Sequence, residues 1–223
     1  MMELRSLIDN YFPSSINKFM AKIEAVILDL GNTVFYIDFD LCFQYWENVS
    51  GVDWQILKER FAWDEQHIKF EEGILSEELY CEHIAGLMKI DLSFKDFIIG
   101  WNELYLDYLD GMEDFMCSVN KNHRLLALSN TNATHERVWG PRYETLFSEF
   151  EKVFASHKMG AVKPNAMIYQ QVLDYLDLPA EQTVFCDDKI ENVDGARDMG
   201  MHAIQVVSAQ QMYADLRALD VQW

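Results

Sequence analysis

The chain is poor in positive charge. Its 18 Lys and Arg residues stand against 37 Asp and Glu, a formal net charge of −19 over 223 residues. Nucleic-acid binding needs a basic stripe, so that function is excluded. Binding to anionic membranes is excluded on the same ground. No run is long and apolar enough to span a bilayer. Residues 1–15 lack a basic region followed by an apolar run, so no signal peptide is expected. The four cysteines, Cys42, Cys81, Cys117 and Cys186, form no CxxC pair and fit no zinc spacing. Free thiols in a reducing compartment follow, and a cytoplasmic location is expected. Internal repeats and low-complexity stretches are missing as well.

Apolar residues are abundant, at 50% with 13% aromatics. Such a chain buries enough surface to offset its ordering entropy. The length is generous for one core and short for two domains, so one core with a large insertion is expected. Four nearly continuous aliphatic runs read as buried strands: 25–28, 125–128, 153–155 and 184–186; 203–207 is a fifth, interrupted by Gln205. Helical segments alternate with the later ones. Residues 165–177 follow Pro164, a good first-turn residue, and set Ile168, Val172, Leu173 and Leu176 on one face. Residues 191–199 stop at Gly200. The alternation predicts an α/β fold built on a doubly wound parallel sheet.

Roughly a hundred residues separate the first two strands, where about a dozen suffice for a crossover. Most of them are helical in pattern. Asp53, Ser76 and Ser93 are expected helix caps, the last with Asp96 as a capping box. Residues 36–111 are therefore expected to form an inserted helical cap domain, with 1–35 and 112–223 forming the core. Within residues 1–20, Leu4, Leu7, Ile8 and Tyr11 make a short amphipathic helix that Pro13 ends. It reads as an extension packed on the core or as a dimer contact, so the oligomer stays open between monomer and homodimer.

Four polar clusters fall at or beyond strand ends, where open α/β sheets place their sites. Asp29 follows the first strand in a tight loop, Leu30-Gly31-Asn32-Thr33. A carboxylate there suits nucleophilic attack or loop capping. Ser129-Asn130-Thr131-Asn132 suits an anion-binding turn or an ordinary one. Lys163-Pro164 precedes a helix and offers a point charge to phosphate. Asp187-Asp188, with Asn192 beyond, juxtaposes two carboxylates. Their repulsion favours a cation between them, and hard oxygen donors suit Mg²⁺.

Asp, Ser, Lys-Pro and Asp-Asp in this order, each in such a slot, resemble the signature of the haloacid dehalogenase (HAD) superfamily, over about residues 23–207. The motifs around Asp29, Ser129 and Asp187-Asp188 resemble those of α-D-glucose-1-phosphate phosphatases, and Phe70-Glu71-Glu72-Gly73-Ile74-Leu75-Ser76 resembles that group's helix–Gly–Ser joint. Residues 1–20 lie outside the likeness. The resemblance implies a Rossmann-like core and a Mg²⁺-dependent hydrolase, a phosphatase of a small phosphorylated metabolite such as a sugar phosphate. It implies Asp29 as the nucleophile that becomes an aspartyl-phosphate. Ser129, with the Asn130 backbone, binds the phosphoryl oxygens, and Asn32 lies in the same phosphate loop. Lys163 offsets charge. Asp29, the Gly31 carbonyl, Asp187 and Asp188 hold the metal, with Asp188 the expected direct ligand. Trp63, Asp64, His67, Phe70 and Glu71 lie near the family's specificity region, where Trp63 and His67 are the expected substrate contacts.

One departure stands out. Most phosphatases of the superfamily carry a second aspartate two residues after the nucleophile, as a general acid–base; here it is Gly31. That help is commonly worth ~10²–10⁴-fold in rate. An easily departing leaving group, Asp38, or a water would substitute. Three other readings remain open: a carbon–halogen hydrolase, which needs no metal; a phosphosugar mutase, which needs the missing acid–base group; and a non-catalytic phospholigand-binding protein.

Overall fold

The computed structural model describes residues 21–223. The helix expected at residues 4–11 therefore lies outside the described residues. The chain opens with β1 (Ala25–Leu28) and, after a tight loop, β2 (Phe35–Ile37). Five helices follow: α1 (Asp40–Ser50), α2 (Trp54–Arg60), α3 (Glu65–Glu71), α4 (Glu77–Met88) and α5 (Phe94–Trp101). β3 (Tyr105–Tyr108) returns the chain, and α6 (Met112–Val119), β4 (Arg124–Ser129), α7 (Ala133–Arg142), α8 (Glu144–Phe147) and β5 (Lys152–Ala155) come next. The last part holds α9 (Ser156–Met159), α10 (Ala166–Leu176), a 3-10 turn at Ala180–Gln182, β6 (Thr183–Asp187), α11 (Ile190–Asp198), β7 (His202–Gln205) and α12 (Ala209–Ala218).

Five strands form one parallel sheet in the order β5-β4-β1-β6-β7. β1 is its centre and all four of its residues are buried. Val26 and Leu28 join one apolar cluster, Ala25 and Ile27 the other, so both faces of the strand are covered. That burial on two sides is why the strand reads as an unbroken aliphatic run. Leu28 pairs with Ala127 of β4 and with Cys186 of β6. The residues just beyond these three strands are thereby brought to one edge of the sheet.

The helices between β2 and β3 are capped as their sequence demands. Asp53 accepts from the Gln55 N–H, Ser76 from Leu79, and Ser93 from Asp96, whose carboxylate accepts the Ser93 hydroxyl in return. Their core is aromatic: Trp46 stacks on Phe97 and Trp101, and Phe70 stacks on Tyr80. Two features differ from the sequence reading. The segment is tied at its base by an antiparallel pair, β2 with β3, too short and too exposed to carry an apolar alternation. Pro164 lies outside its helix: Asn165 is the cap, accepting from the Met167 N–H, and α10 starts at Ala166.

Candidate active site

Asp29 leaves the C-terminal end of β1 with its backbone N–H on the Cys186 carbonyl, 2.8 Å away. Only 8% of it is exposed. Lys163 reaches it from the loop before α10. The ammonium donates to Asp29 Oδ1 at 2.6 Å, to Asp187 Oδ2 at 2.6 Å and to the Leu128 carbonyl at 2.9 Å, which uses all three of its protons. Asn130 fixes that loop. Its amide donates to the Lys163 carbonyl at 3.0 Å and accepts the Lys163 N–H at 2.8 Å. The sequence reading assigned Asn130 only a backbone role. A side chain that holds another residue's backbone across 33 positions leaves no mark in local periodicity.

Asp187 is fully buried and fully engaged. Its Oδ1 accepts from the Lys189 N–H and from Asn192 Nδ2, and its Oδ2 from Lys163 and Asn192. Asn192 is itself held, its carbonyl accepting the Tyr169 hydroxyl at 2.8 Å. Asp188 is freer, touched at Oδ2 by Asn32 Nδ2 at 3.4 Å. Carboxylate oxygens of Asp29, Asp187 and Asp188 lie within 4.8 Å of one another. Three carboxylates against one ammonium leave the cluster short of positive charge. Burial accordingly pushes the Asp29 carboxyl up to about 7; Lys163 pulls it down and Asp187 pushes it further up. Asp188 is raised by burial and by Asp187. Burial works against the charge on Lys163, but Asp187 and Asp29 outweigh it and keep the ammonium protonated. The hard, crowded oxygen set fits a small divalent cation such as Mg²⁺.

A cavity of about 610 Å³ opens over this cluster. Asp29, Gly31, Asn32, Ser129, Asn130, Lys163 and Asp188 lie on its floor side, and Trp63, His67, Glu71 and Trp101 come from the helical segment. Ser129 is buried, and its hydroxyl makes only a long 3.4 Å contact with the Asn130 carbonyl. It is thus nearly free to meet a ligand. All ten residues expected from the sequence to form the site converge here, although Asp187 lies behind Lys163 rather than on the cavity wall.

Other expected neighbours do different work. Asp64 caps α3 and accepts from His83; Phe70 packs in the core. Asp38 is exposed, accepts the Asp40 N–H at 2.9 Å and is not on the cavity wall. Sequence reasoning missed His135, whose Nδ1 meets Asn102 Oδ1 at 3.0 Å and which lines the cavity; burial, with His67 nearby, pushes its pKa down to about 3. It also missed Ile37, which fills the space beside Gly31.

Residues 58–206 match the sequence model of the haloacid dehalogenase-like hydrolases, a stretch that includes Ser129, Lys163, Asp187 and Asp188. Drimenol cyclase drtB of Aspergillus calidoustus is 27% identical over 82% of this chain and 34% of its own length. Sesquiterpene phosphatase astK of Aspergillus oryzae is 37% identical over 31% of this chain and 36% of its own. The matched stretch thus spans about a third of either relative. Among solved structures, a HAD family enzyme of Bacteroides thetaiotaomicron, in complex with magnesium and inorganic phosphate, is 23% identical over 84% of this chain and 96% of its own, with a TM-score of 0.73. The L-2-haloacid dehalogenase of Xanthobacter autotrophicus is 16% identical over 88% of this chain and 83% of its own, with a TM-score of 0.62.

Proposed function

The chain belongs to the haloacid dehalogenase-like hydrolases, and from that premise we propose that it is a Mg²⁺-dependent phosphatase of a small phosphorylated molecule, working through an aspartyl-phosphate on Asp29. The observation that carries this reading is the cluster of three carboxylates within 4.8 Å around one lysine. A carbon–halogen hydrolase needs no cation, and would leave Asp188, half-buried and raised by burial and by Asp187, without a purpose. The magnesium and phosphate bound by the Bacteroides enzyme, and the phosphatase name of the Aspergillus oryzae relative, support the same direction.

The geometry supports the following residue roles. Asp29 attacks phosphorus. Lys163 stands against the nucleophile and cancels part of its repulsion with the phosphoryl group. The Ser129 hydroxyl and nearby N–H groups receive the phosphoryl oxygens. Asp29, Asp188 and the Gly31 carbonyl would hold the metal. Asp187, whose oxygens are already engaged by Lys163, Asn192 and the Lys189 N–H, acts more as a positioner and as a ligand through water. Bound Mg²⁺ would supply charge neutralisation between carboxylate and phosphate. The helices of residues 36–111 act as a cap domain over the remaining core, with Trp63 and His67 facing the substrate. Four unpaired cysteines suit a reducing interior, and we assign the enzyme to the cytoplasm.

The likeness to α-D-glucose-1-phosphate phosphatases supports an enzyme that works with glycine at position 31, because an anomeric phosphate leaves easily. Turnover of para-nitrophenyl phosphate with Mg²⁺ tests the activity. It should stop with EDTA and with Asp29→Asn. Halide release from a 2-haloacid without metal would instead establish the dehalogenase.

A further inference from the structure

The cavity holds more than a phosphoryl group. About 610 Å³ at about 30 Å³ per non-hydrogen atom is roughly twenty atoms, so much of the wall faces the body that carries the phosphate. Two polar side chains on that wall have no part in the cluster at Asp29: Tyr105 and His135. Only 5% and 6% of them is exposed. Their rings meet edge to face, 5.5 Å between centroids. Tyr105 opens β3 and pairs with Ile37 of β2. Cross-strand partners leave a ribbon on one side, and Ile37 Cδ1 fills the space beside Gly31. The phenol therefore comes off the ribbon on the side of the loop that follows Asp29. His135 comes from the first turn of α7, directly after the Ser129–Asn132 turn.

The proton on His135 is fixed from outside the cavity. Asn102 Nδ2 donates to the Ile98 carbonyl at 2.7 Å, which turns its Oδ1 toward His135. An amide oxygen only accepts, so His135 Nδ1 carries the proton and donates it at 3.0 Å. Burial, with His67 nearby, pushes the ring's pKa down to about 3, so no second proton joins it. Nε2 is then a bare lone pair, without a partner among the described residues. Tyr105 is the complement. Burial holds its phenol well above the usual tyrosine range, so it keeps its proton, and its hydroxyl likewise has no partner among the described residues. Both atoms stay open to the cavity, whereas the unpartnered indole N–H groups of Trp101 and Trp139 are fully covered.

A donor and an acceptor on touching rings, both buried and both unused, call for a ligand group that accepts and donates. A phosphoryl oxygen only accepts, and would meet the His135 lone pair with its own. An ammonium only donates, and would leave the Tyr105 proton without an acceptor. An apolar body would strand both. An alcohol oxygen does both jobs. We propose that Tyr105 and His135 read a hydroxyl, or two neighbouring hydroxyls, on the body of the substrate: the Tyr105 hydroxyl donates to it, and it donates to His135 Nε2. The substrate class is thus the phosphate ester of a polyhydroxylated body, and Glu71, Asn130, Thr131 and Glu191 offer further polar atoms on the same wall. The proposal rests on the phosphatase reading above and names what that site selects. Asn102, which touches only His135, is a positioning residue.

The test uses matched pairs that differ in hydroxyls alone: myo-inositol 1-phosphate against cyclohexyl phosphate, and glycerol 1-phosphate against propyl phosphate. With Mg²⁺, kcat/KM of the hydroxylated member should exceed that of its partner by about 100-fold or more in at least one pair, still short of the ~10⁴–10⁵ that a fully built hydroxyl site reaches. Tyr105→Phe and His135→Phe should each cut that ratio at least tenfold. Equal turnover within both pairs overturns the proposal, and so does a ratio that neither variant moves. Turnover of para-nitrophenyl phosphate with none of the four esters overturns it too and leaves the phosphatase reading standing. No turnover of any of the five overturns both. Thermal melts without substrate separate recognition from structure. Tyr105→Phe removes a hydroxyl that has no protein partner, so its Tm should equal or exceed that of the unaltered protein. A Tm lower by several degrees would give the hydroxyl a structural role and count against the proposal.

Discussion

At Asp29 three carboxylates share one ammonium, and the imbalance has consequences that can be measured without a substrate. The folded carboxyl titrates near 7, against an unfolded value of about 3.9. Between those values the folded protein holds a proton that the unfolded chain has released. Stability of the metal-free protein therefore falls as pH rises through this window, and levels above it. The proposed cation would bind the deprotonated cluster and displace that proton. The rise in Tm on adding Mg²⁺ should thus be larger at pH 8 than at pH 6, read by thermal melts at both. Asp29→Asn should raise the metal-free Tm at pH 8, because one of the unbalanced charges is gone, while reducing turnover to background. Equal Mg²⁺ shifts at the two pH values would sink the account. Asp29, Ser129 and the Asp187-Asp188 pair were legible because each stands at or just past the end of a strand whose apolar run is plain, and Lys163 because it precedes a helix with Pro164. The Asn130–Lys163 clasp, the saturation of Asp187 and the Ile37 methyl beside Gly31 were not. They are contacts set by where the backbone brings strand ends, loops and a helix together, which no residue pattern announces.

Among the elements, the sheet and the helix caps were readable for a simple reason: burial on both faces and N-cap chemistry are written in single residues and short runs. The β2–β3 pair was not, being short and stabilised by what it joins. The joint at Gly73 carries the sharper lesson. It has φ +71, and a Cβ there would lie 2.2 Å from the His157 carbonyl oxygen of α9. Gly51 has nearly the same φ, +72, and nothing within 4 Å of a Cβ. The two separate backbone strain from close approach. Gly51→Ala should cost about 1 kcal/mol, the strain of a left-handed alanine. Gly73→Ala should cost roughly twice that or more, because the helical segment and the core must also move apart, and it should raise KM by shifting Trp63 and His67. Urea unfolding of both variants compares them. If the costs match, the joint does not rest on the core in the way its geometry implies.

The whole molecule repels the substrate proposed for it. With a net charge of −19, its average field opposes any phosphorylated substrate, and local groups at the cavity, Lys163, Lys189, backbone N–H groups and the proposed cation, would have to reverse it. Long-range repulsion between exposed charges is screened over a Debye length of about 10 Å at 0.1 M salt, whereas the buried contacts to Lys163 are screened much less. Salt should therefore help the approach more than it harms the binding. At saturating Mg²⁺ and low substrate, raising NaCl from about 10 mM to about 150 mM, a span over which the Debye length falls from about 30 to about 8 Å, should increase kcat/KM by a few-fold and leave kcat nearly unchanged. A doubly charged phosphomonoester should respond less than a triply charged diphosphate, since the repulsion scales with substrate charge. A fall in kcat/KM with salt would mean that the mouth of the cavity is itself an attractive funnel, and that the acidic surface lies on the faces turned away from it.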